Sequence, residues 1–341
     1  MCIRDRHVVD NSNNVDEKIK LEELQRLAPF HLYDMKENLG FARACNLVYQ
    51  KTSTPYVLLI NPDAYFLDET IDILLRELER NSALAATGPK IFWDDQLTFT
   101  LPQSITITPF AFFLNNYPHS VLKRLLWIKS LFVRKAAINY WTSQKTLFQN
   151  NLSGGSVLLN RQCVDHAGGL FDPDFFMYYE DTDLFLRLVK TGYKLLYVPE
   201  ARIVHKFSGC AREQQLEKSG YMAHSAKQFL LKHYPDNYLI QLTRNASKMA
   251  RKSIWAPKIT DFGQQNNAEE ITIKLDKANT YLIEWSPSPY FLPAAGMISN
   301  EQEFRFPEHI WKILPRGDQY LRIAPLEKFW VKPRIWHWKK D

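Results

Sequence analysis

The chain has 341 residues, of which 45% are hydrophobic and 23% charged, with a formal net charge of +6. That length suits two domains, and the balance supports sizeable cores, which excludes a disordered or low-complexity chain. No apolar run reaches the roughly 18 residues of a membrane-spanning helix, and no N-terminal apolar stretch marks a signal peptide, so a soluble or peripheral cytoplasmic protein is expected.

The first two-thirds alternates short apolar runs with helical patterns, the signature of βα units and a mostly parallel sheet. His7–Val9 reads as a strand ending at Asp10-Asn11-Ser12, followed by a charged helix over about 16–27 and a second strand near 30–33. Gly40–Gln50 reads as a helix. Tyr56–Ile60 is a continuous apolar run, expected to be buried on both faces, and it ends at Asn61-Pro62-Asp63. Residues 67–81 form an amphipathic helix with Ile71, Leu74, Leu75 and Leu78 on one face.

Further along, 155–159 is strand-like, 181–191 helical, 194–198 a strand and 213–233 a long helix. Beyond about Asn245 the pattern changes to alternating strands at 271–275, 280–285 and 319–323, punctuated by Ser286-Pro287-Ser288-Pro289 and Pro315-Arg316-Gly317-Asp318. An α/β domain over 1–245, a linker over 246–268 and a small all-β, sandwich-like domain over 269–341 are therefore expected. The four cysteines, Cys2, Cys45, Cys163 and Cys210, lie far apart with no metal-ligand or redox spacing and read as free thiols.

In a parallel α/β sheet, ligands bind beyond the carboxyl ends of the strands, so acids placed directly after strands are the ones to weigh. Asp10 and Asp63 meet that test, although Asp-Asn-Ser and Asn-Pro are also ordinary turn signals. A third cluster stands out. Aromatic residues lead into Glu180-Asp181-Thr182-Asp183-Leu184. Carboxylates about 4 Å apart repel by about 4 kcal/mol at an effective dielectric near 20, so such crowding needs a reason. Part of it is structural: Asp181 can N-cap the helix, and Asp183 can pair with Arg187 one turn on. The rest suits a general base among aromatic walls, where burial tunes a carboxylate. His205, after the strand at 194–198, gains meaning only beside a carboxylate, where an imidazole completes a divalent-cation site.

Taken together, the pieces are similar to the rhamnosyltransferase-like branch of glycosyltransferase family 2 over about residues 8–212. The resemblance is carried by Val8–Ser12, Asn38–Asn46, Tyr56–Ala64 (YVLLINPDA), Gly154–Leu159, Gly168–Asp172, Phe175–Arg187 (FFMYYEDTDLFLR), Gly192-Tyr193, Val198-Pro199 and His205, in that order. It implies a GT-A fold, a Rossmann-like nucleotide-diphospho-sugar transferase sheet with helices on both faces. Asp10, Asn38, Arg43, Asn46 and Asp63 would line the nucleotide-sugar site. Asp63 and His205 would hold Mg2+ or Mn2+, with Asn61 in place of the first acid of the family's DxD motif. Asp181 would be the general base of an inverting transfer, with Gly154, Gly155 and Glu180 lining donor and acceptor. The implied donor is a nucleotide-diphosphate sugar, dTDP-rhamnose being favoured, and the acceptor a glycan or lipid-linked saccharide of surface-polysaccharide synthesis.

The family normally has a further strand and helix before the strand ending in Val-Asp-Asn, so an N-terminally truncated domain is expected. A catalytically inactive remnant that binds carbohydrate or a partner is then the alternative. A nucleotidyltransferase would need a Gly-rich basic N-terminal signature that is not present.

No acid occurs from Gln96 to Val164, while Lys123, Arg124, Lys129, Arg134, Lys135, Lys145 and Arg161 all fall there. A helical wheel over 120–135 puts Lys123, Arg124, Arg134 and Lys135 on one face. Val121, Leu122, Leu125, Leu126, Ile128, Phe132 and Val133 take the other. That pattern reads either as a surface helix with a solvated basic face or as peripheral membrane contact through 109–135, at the inner face of the plasma membrane. Nucleic acid is not expected as a partner, since no nucleic-acid-binding motif accompanies the charge.

Overall fold

The computed structural model describes residues 5–116, 120–206, 215–246, 258–275, 279–327 and 333–340. β1 (His7–Asp10), α1 (Val15–Leu27) and β2 (His31–Asp34) form one unit, in which β1 and β2 pair in parallel. Asn14 caps α1 by accepting from the Asp16 and Glu17 N–H groups, satisfying donors that a helix start leaves unpaired. α2 (Phe41–Lys51) starts at Gly40, whose φ is +78°. A Cβ there would lie 2.4 Å from the Phe176 carbonyl oxygen, which accepts the Phe41 N–H, so no larger residue fits.

β3 (Tyr56–Ile60), β4 (Ala64–Phe66), α3 (Thr70–Glu79) and β5 (Leu84–Phe92) follow, then α4 (Pro109–Asn116) and α5 (Ser120–Thr142). Next come β6 (Leu147–Gln149), β7 (Ser156–Asn160), α6 (Arg161–His166), α7 (Glu180–Lys190) and β8 (Lys194–His205). The main sheet runs β3-β7-β5-β8-β4, with β6 also on β8. The α/β layering is as expected, with one difference. Only β5–β8 is parallel in this sheet, whereas β3–β7, β5–β7, β4–β8 and β6–β8 are antiparallel. The reason is topological: β7 and β4 return directly from loops at the site end of the sheet, without a crossover helix.

β3 also differs from its expected burial. Its residues are half-buried and Ile60 is exposed, because β7 is its one strand partner among the described residues and β1–β2 pair separately. In this sheet β5, β7 and β8 are the strands with consecutive buried residues, and so are buried on both faces. α3 seats Ile73, Leu74, Leu75 and Leu78 on the sheet, with Ile73 in the place expected for Ile71. Cys45 and Cys163 are free thiols, as read; Cys2 and Cys210 lie outside the described residues.

α8 (Gln215–His233) and α9 (Tyr238–Ala246) end the first part of the chain. The second comprises β9 (Thr260–Gln265), β10 (Thr272–Lys274), β11 (Tyr281–Ser286), β12 (Ala295–Ser299), β13 (Glu303–Arg305), α10 (Glu308–Ile313), β14 (Gly317–Pro325) and β15 (Arg334–Lys340). Five strands form a sheet in the order β12-β11-β14-β15-β9, and β10–β13 make a small second layer. Ile273 and Phe304 of that layer share one core with Ile283, Leu321, Trp336 and Trp338 of the sheet. β9 corrects the expected linker over 246–268. Apart from Phe262, which packs on the core, its residues carry no apolar side chain and are mostly exposed, so they lack a strand's apolar alternation, but β15 supplies a parallel edge for their backbone.

The two parts are packed together. Trp93 and Phe99, from the turn after β5, sit in the core of the β domain, and Thr100 exchanges both backbone hydrogen bonds with Gly296. A Cβ on Gly296 would lie 2.3 Å from the Trp141 ring, so α5 lies directly on β12. α5 is also turned relative to its sequence wheel. Arg134, expected on the solvated basic face, is 2% exposed, and its Nε lies 2.7 Å from Glu284 Oε2. Arg322 binds the same carboxylate through Nε at 2.7 Å and through its terminal nitrogen at 2.6 Å, and reaches Ser130 Oγ at 3.2 Å. The buried carboxylate draws the arginine inward, and Leu125, Ile128 and Phe132 consequently face outward.

Removing one member of a buried charge group strands the others, at a cost of about 3–5 kcal/mol. Glu284→Ala, which leaves two guanidiniums uncompensated, should lower unfolding stability by that amount. Urea denaturation checks it, and a change under ~1 kcal/mol would show that the cluster is not stabilising.

Candidate active site

The sequence scatters its candidate residues over two hundred positions, and the sheet brings the decisive ones to one edge. β4 pairs with β8 so that Ala64 lies opposite His205. Asp63, one residue earlier, thereby places Oδ1 3.0 Å from His205 Nε2. The Asn61 amide nitrogen lies 3.4 Å from the same imidazole nitrogen. Asp63 and His205 are mostly buried but retain side-chain exposures of 19% and 10%. Among the described residues, no group of three or more His, Cys, Asp or Glu side chains converges.

Gly154 and Gly155 join this pair to the acids. The Asn61 N–H donates to the Gly155 carbonyl at 2.8 Å, and a Cβ on Gly155 would meet the Asn61 amide at 2.5 Å. The Gly154 N–H donates to Asp181 Oδ2 at 3.1 Å, and a Cβ on Gly154 would lie 2.4 Å from the Asp181 Cβ. Two adjacent glycines thus let two side chains press on one backbone, with Asp181 on one residue and Asn61 on the next.

Asp181 does not cap α7, as its sequence position suggested. The cap position is Tyr179, and Asp181 Oδ1 takes the Thr182 N–H at 2.6 Å and the Thr182 hydroxyl at 3.2 Å. Tyr178 and Tyr179 both have positive φ, +68° and +67°. Left-handed backbone costs a non-glycine residue on the order of 1–3 kcal/mol, and such strain clusters at functional sites. Here it delivers the start of α7 to Gly154.

The two neighbouring acids differ in environment. Glu180 is 7% exposed, and its Oε2 has no hydrogen-bond partner. Burial pushes its carboxyl up to about 8, and the Asp181 charge acts in the same direction. Burial also raises Asp181, but the Gly154 and Thr182 N–H groups favour its anion. Both acids are thus raised by burial, and only Asp181 has N–H donors from other residues that work against that rise.

Asp183 is structural. It is fully buried and accepts from Arg187 at 2.8 Å, Lys232 at 2.7 Å and His233 at 2.8 Å. Burial alone would raise it, but those three donors outweigh burial and hold it well below the usual carboxylate range. The i,i+4 spacing revealed Arg187; Lys232 and His233, on α8, had no local signal. Arg187 in turn donates to the carbonyls of Ala167, Gly169 and Leu170, shaping the loop before α7.

Among the residues expected to line a nucleotide, Asp10 is buried and accepts from the Ser12 N–H and hydroxyl, the turn chemistry that its Asp-Asn-Ser context allowed. Asn38 accepts from Asn11 at 3.0 Å and from the Gly40 N–H at 3.0 Å, fastening the α2 entry to the end of β1. Asn11, not singled out from sequence, completes that clasp through the Leu39 N–H. Arg43 donates to the Pro173 carbonyl, and Asn46 both donates to and accepts from the Phe171 backbone. Both side chains are thus engaged in holding the 171–173 loop.

These features place an acid–imidazole pair, Asp63 and His205, and the half-buried Asp181 beside the same two-glycine loop of an α/β domain. Residues 7–138 match the family model described as Glycosyl transferase family 2. The chain is 28% identical over 201 residues to the N-acetylglucosaminyl-diphospho-decaprenol L-rhamnosyltransferase of Mycobacterium tuberculosis, in strains CDC 1551 / Oshkosh and ATCC 25618 / H37Rv. That match spans 53% of this chain and 60% of the relative. The chain is thus similar, over part of its length, to glycosyltransferase family 2 and to a rhamnosyltransferase, and it spans about 60% of that relative's length.

Among solved structures, GalNAc-T7 with UDP, GalNAc and Mn2+ aligns with a TM-score of 0.45 at 14% identity, over 88% of this chain and 60% of that one. The Pyrobaculum calidifontis mannosyltransferase PcManGT with GDP-Man and Mn2+ aligns with a TM-score of 0.43 at 14% identity, over 71% and 59%.

Asp183 gives the site a defined acid limit. Its folded-state pKa is depressed, so its stabilisation is complete above the ordinary aspartate value of about 3.9 and is lost as pH falls from there through its own lower value. Asp183→Asn should cost about 3–5 kcal/mol at pH 7 and flatten the decline of stability between about pH 4 and pH 2. Denaturation curves at the two ends of that range decide it; an unchanged acid slope would remove Asp183 as its source.

Proposed function

We propose that the chain is an inverting transferase that moves a sugar, rhamnose-like, from a nucleotide diphosphate to a saccharide acceptor in surface-polysaccharide synthesis. The observation that carries this reading is the Gly154–Gly155 backbone, which ties Asp181 to Asn61 and so to Asp63 and His205. Asp181 then acts as the base. The acceptor hydroxyl oxygen bonds to the anomeric carbon from the face opposite the diphosphate. Its proton goes to Asp181, and the electron pair of the breaking C–O bond leaves with the diphosphate. Glu180, protonated, adds no second negative charge beside the base.

Asp63 Oδ and His205 Nε2 fit a divalent cation, Mg2+ or Mn2+. One carboxylate and one imidazole converge 3.0 Å apart with partial exposure, which leaves coordination positions for diphosphate oxygens and water. When bound, such an ion neutralises charge on the departing diphosphate. The name of the Mycobacterium relative supports a lipid-linked acceptor.

Asp181→Asn should lower turnover by about 100- to 10,000-fold, in line with loss of a general base, with nucleotide affinity within about twofold. In the unaltered enzyme, activity should rise with pH as Asp181 loses its proton, with the acid limb displaced above the usual aspartate value of about 3.9. His205→Ala should raise the Mn2+ concentration needed for half-activation. Transfer assays with dTDP-rhamnose and metal titration test this, and full activity in Asp181→Asn would sink the base assignment.

The reading extends to the membrane. No described helix is long and apolar enough to cross a bilayer. Phe110 of α4 and Leu125, Ile128 and Phe132 of α5 are nonetheless exposed, by 52%, 41%, 47% and 72%. Arg124 and Lys135 are exposed on α5 as well, with Lys123 and Lys129 half-buried. Residues 109–135 thus present an apolar stripe with basic flanks and no acid, suited to an anionic surface such as the inner leaflet of the plasma membrane. In co-sedimentation, vesicles of phosphatidylglycerol and phosphatidylcholine should retain the protein and lose it in the Ile128→Asp, Phe132→Asp double variant. Equal retention of both would exclude this face.

A further inference from the structure

A cavity of about 440 Å³ opens between the C-terminal half of α5, the 103–108 segment and β6 with the loop that follows it. Its wall includes Gln103, Asn139, Tyr140, Phe148, Gln149 and Asn151. We propose that it is the subsite for the acceptor's saccharide, a neutral, hydroxyl-rich ring system, a reading that rests on the transferase function above.

The chemistry of the wall is selective. No charged side chain lines the cavity, so neither a diphosphate nor a carboxylate finds a counter-charge there. Asn and Gln amides each carry two donors and a two-lone-pair acceptor, and neighbouring sugar hydroxyls present the same mixture. Gln103 and Gln149 are already hydrogen-bonded to each other, which fixes one such amide edge. Phe148 adds an apolar ring face, 62% exposed even though the Lys194 ammonium lies 5.1 Å from its centroid. The volume falls within the roughly 300–1,000 Å³ range of small-molecule sites.

Position relative to the base is the second argument. β6 leads through Asn150–Ser153 directly into Gly154. Asn151 is buried in the cavity wall and donates to Thr182 Oγ1 at 3.4 Å, and that hydroxyl donates to Asp181 Oδ1 at 3.2 Å. One hydroxyl, that of Thr182, therefore links the cavity-wall residue Asn151 to the group that takes the acceptor's proton. On its other side the cavity is bounded by Ala136, Asn139 and Tyr140, on the helix that exposes Leu125, Ile128 and Phe132. At 1.5 Å per residue, Asn139 lies roughly 16 Å along α5 from Ile128. A saccharide carried on a membrane lipid would thus reach the cavity while its lipid stays at the outward stripe.

The test uses the full chain and saturation-transfer NMR with two probes, methyl α-L-rhamnoside and methyl N-acetyl-β-D-glucosaminide. At least one should show saturation transfer that falls fivefold or more in both Phe148→Ala and Asn139→Ala, whose side chains are exposed. Saturating dTDP with Mn2+ should leave that signal in place, since the nucleotide belongs at the Asp63–His205 side. No signal from either probe, a signal equal in all three proteins, or displacement by dTDP would each overturn the subsite. In transfer assays both variants should raise the acceptor KM about tenfold, with the donor KM within twofold; the reverse split would place these residues at the donor. Absence of nucleotide binding in the unaltered chain would instead count against the transferase reading, and the sugar signal would still report on the cavity.

Discussion

Two glycine residues in succession set the closest contacts in the site, and much else is arranged around them. Asp181 lies against Gly154 and Asn61 against Gly155, each at a separation that leaves no room for a β-carbon. β7 starts immediately after the pair and runs through the middle of the main sheet, so the contact is anchored on a buried strand. The strained turn at Tyr178–Tyr179 brings α7 in from one side, and the β3–β4 turn brings Asn61 and Asp63 in from the other. Asp181, Asp63 and His205, from three separate chain segments, are thereby held by backbone geometry.

The electrostatics follow from that packing. Glu180 and Asp181 are consecutive and both are raised by burial, but only Asp181 meets N–H donors. Those donors oppose the effect of burial on Asp181, whereas Glu180 Oε2 has no hydrogen-bond partner to do so. Asp183, two residues on, is more buried still and stays ionised because Arg187, Lys232 and His233 all donate to it. Three acids within four residues thus hold three distinct protonation environments, set by what α8, the Gly154 loop and the core present to each.

A second buried charge group sets the relation between the two parts of the chain. Glu284 on β11 receives Arg322 from the neighbouring strand and Arg134 from α5. A carboxylate in the β domain that attracts an arginine across the interface fixes the rotation of α5. That rotation turns Leu125, Ile128 and Phe132 outward and carries Asn139 and Tyr140 into the amide-lined cavity. Trp93 and Phe99, inserted into the β-domain core, and Trp141, lying on Gly296, reinforce the same seating. The second part of the chain thereby orients α5 of the first.

Much of this was legible from sequence. The strands ending at Asp10 and Ile60, the amphipathic α3, the Asp183–Arg187 spacing and the family motifs are all local patterns, readable because backbone periodicity and one-turn spacing act over a few residues, whereas the strand read over 194–198 continues to His205. The motif order carried the resemblance to the family whose model matches residues 7–138, and the alternation after residue 270 corresponds to strands. Local pattern did not reveal the antiparallel pairings of the main sheet or the strand at Thr260–Gln265, whose polar sequence becomes a strand because β15 offers an edge. Nor could it show that Asp181 lies on Gly154 instead of capping its helix, or that Arg43 and Asn46 hold a loop. The inward turn of Arg134 was hidden for the same reason. A helical wheel ranks side chains by their affinity for water, whereas a buried partner 150 positions away can reverse that ranking by supplying the compensating charge. Sequence determined which residue types recur at which short spacings; long-range contacts, which depend on the whole fold, decided which of them meet, which are charged and which face outward.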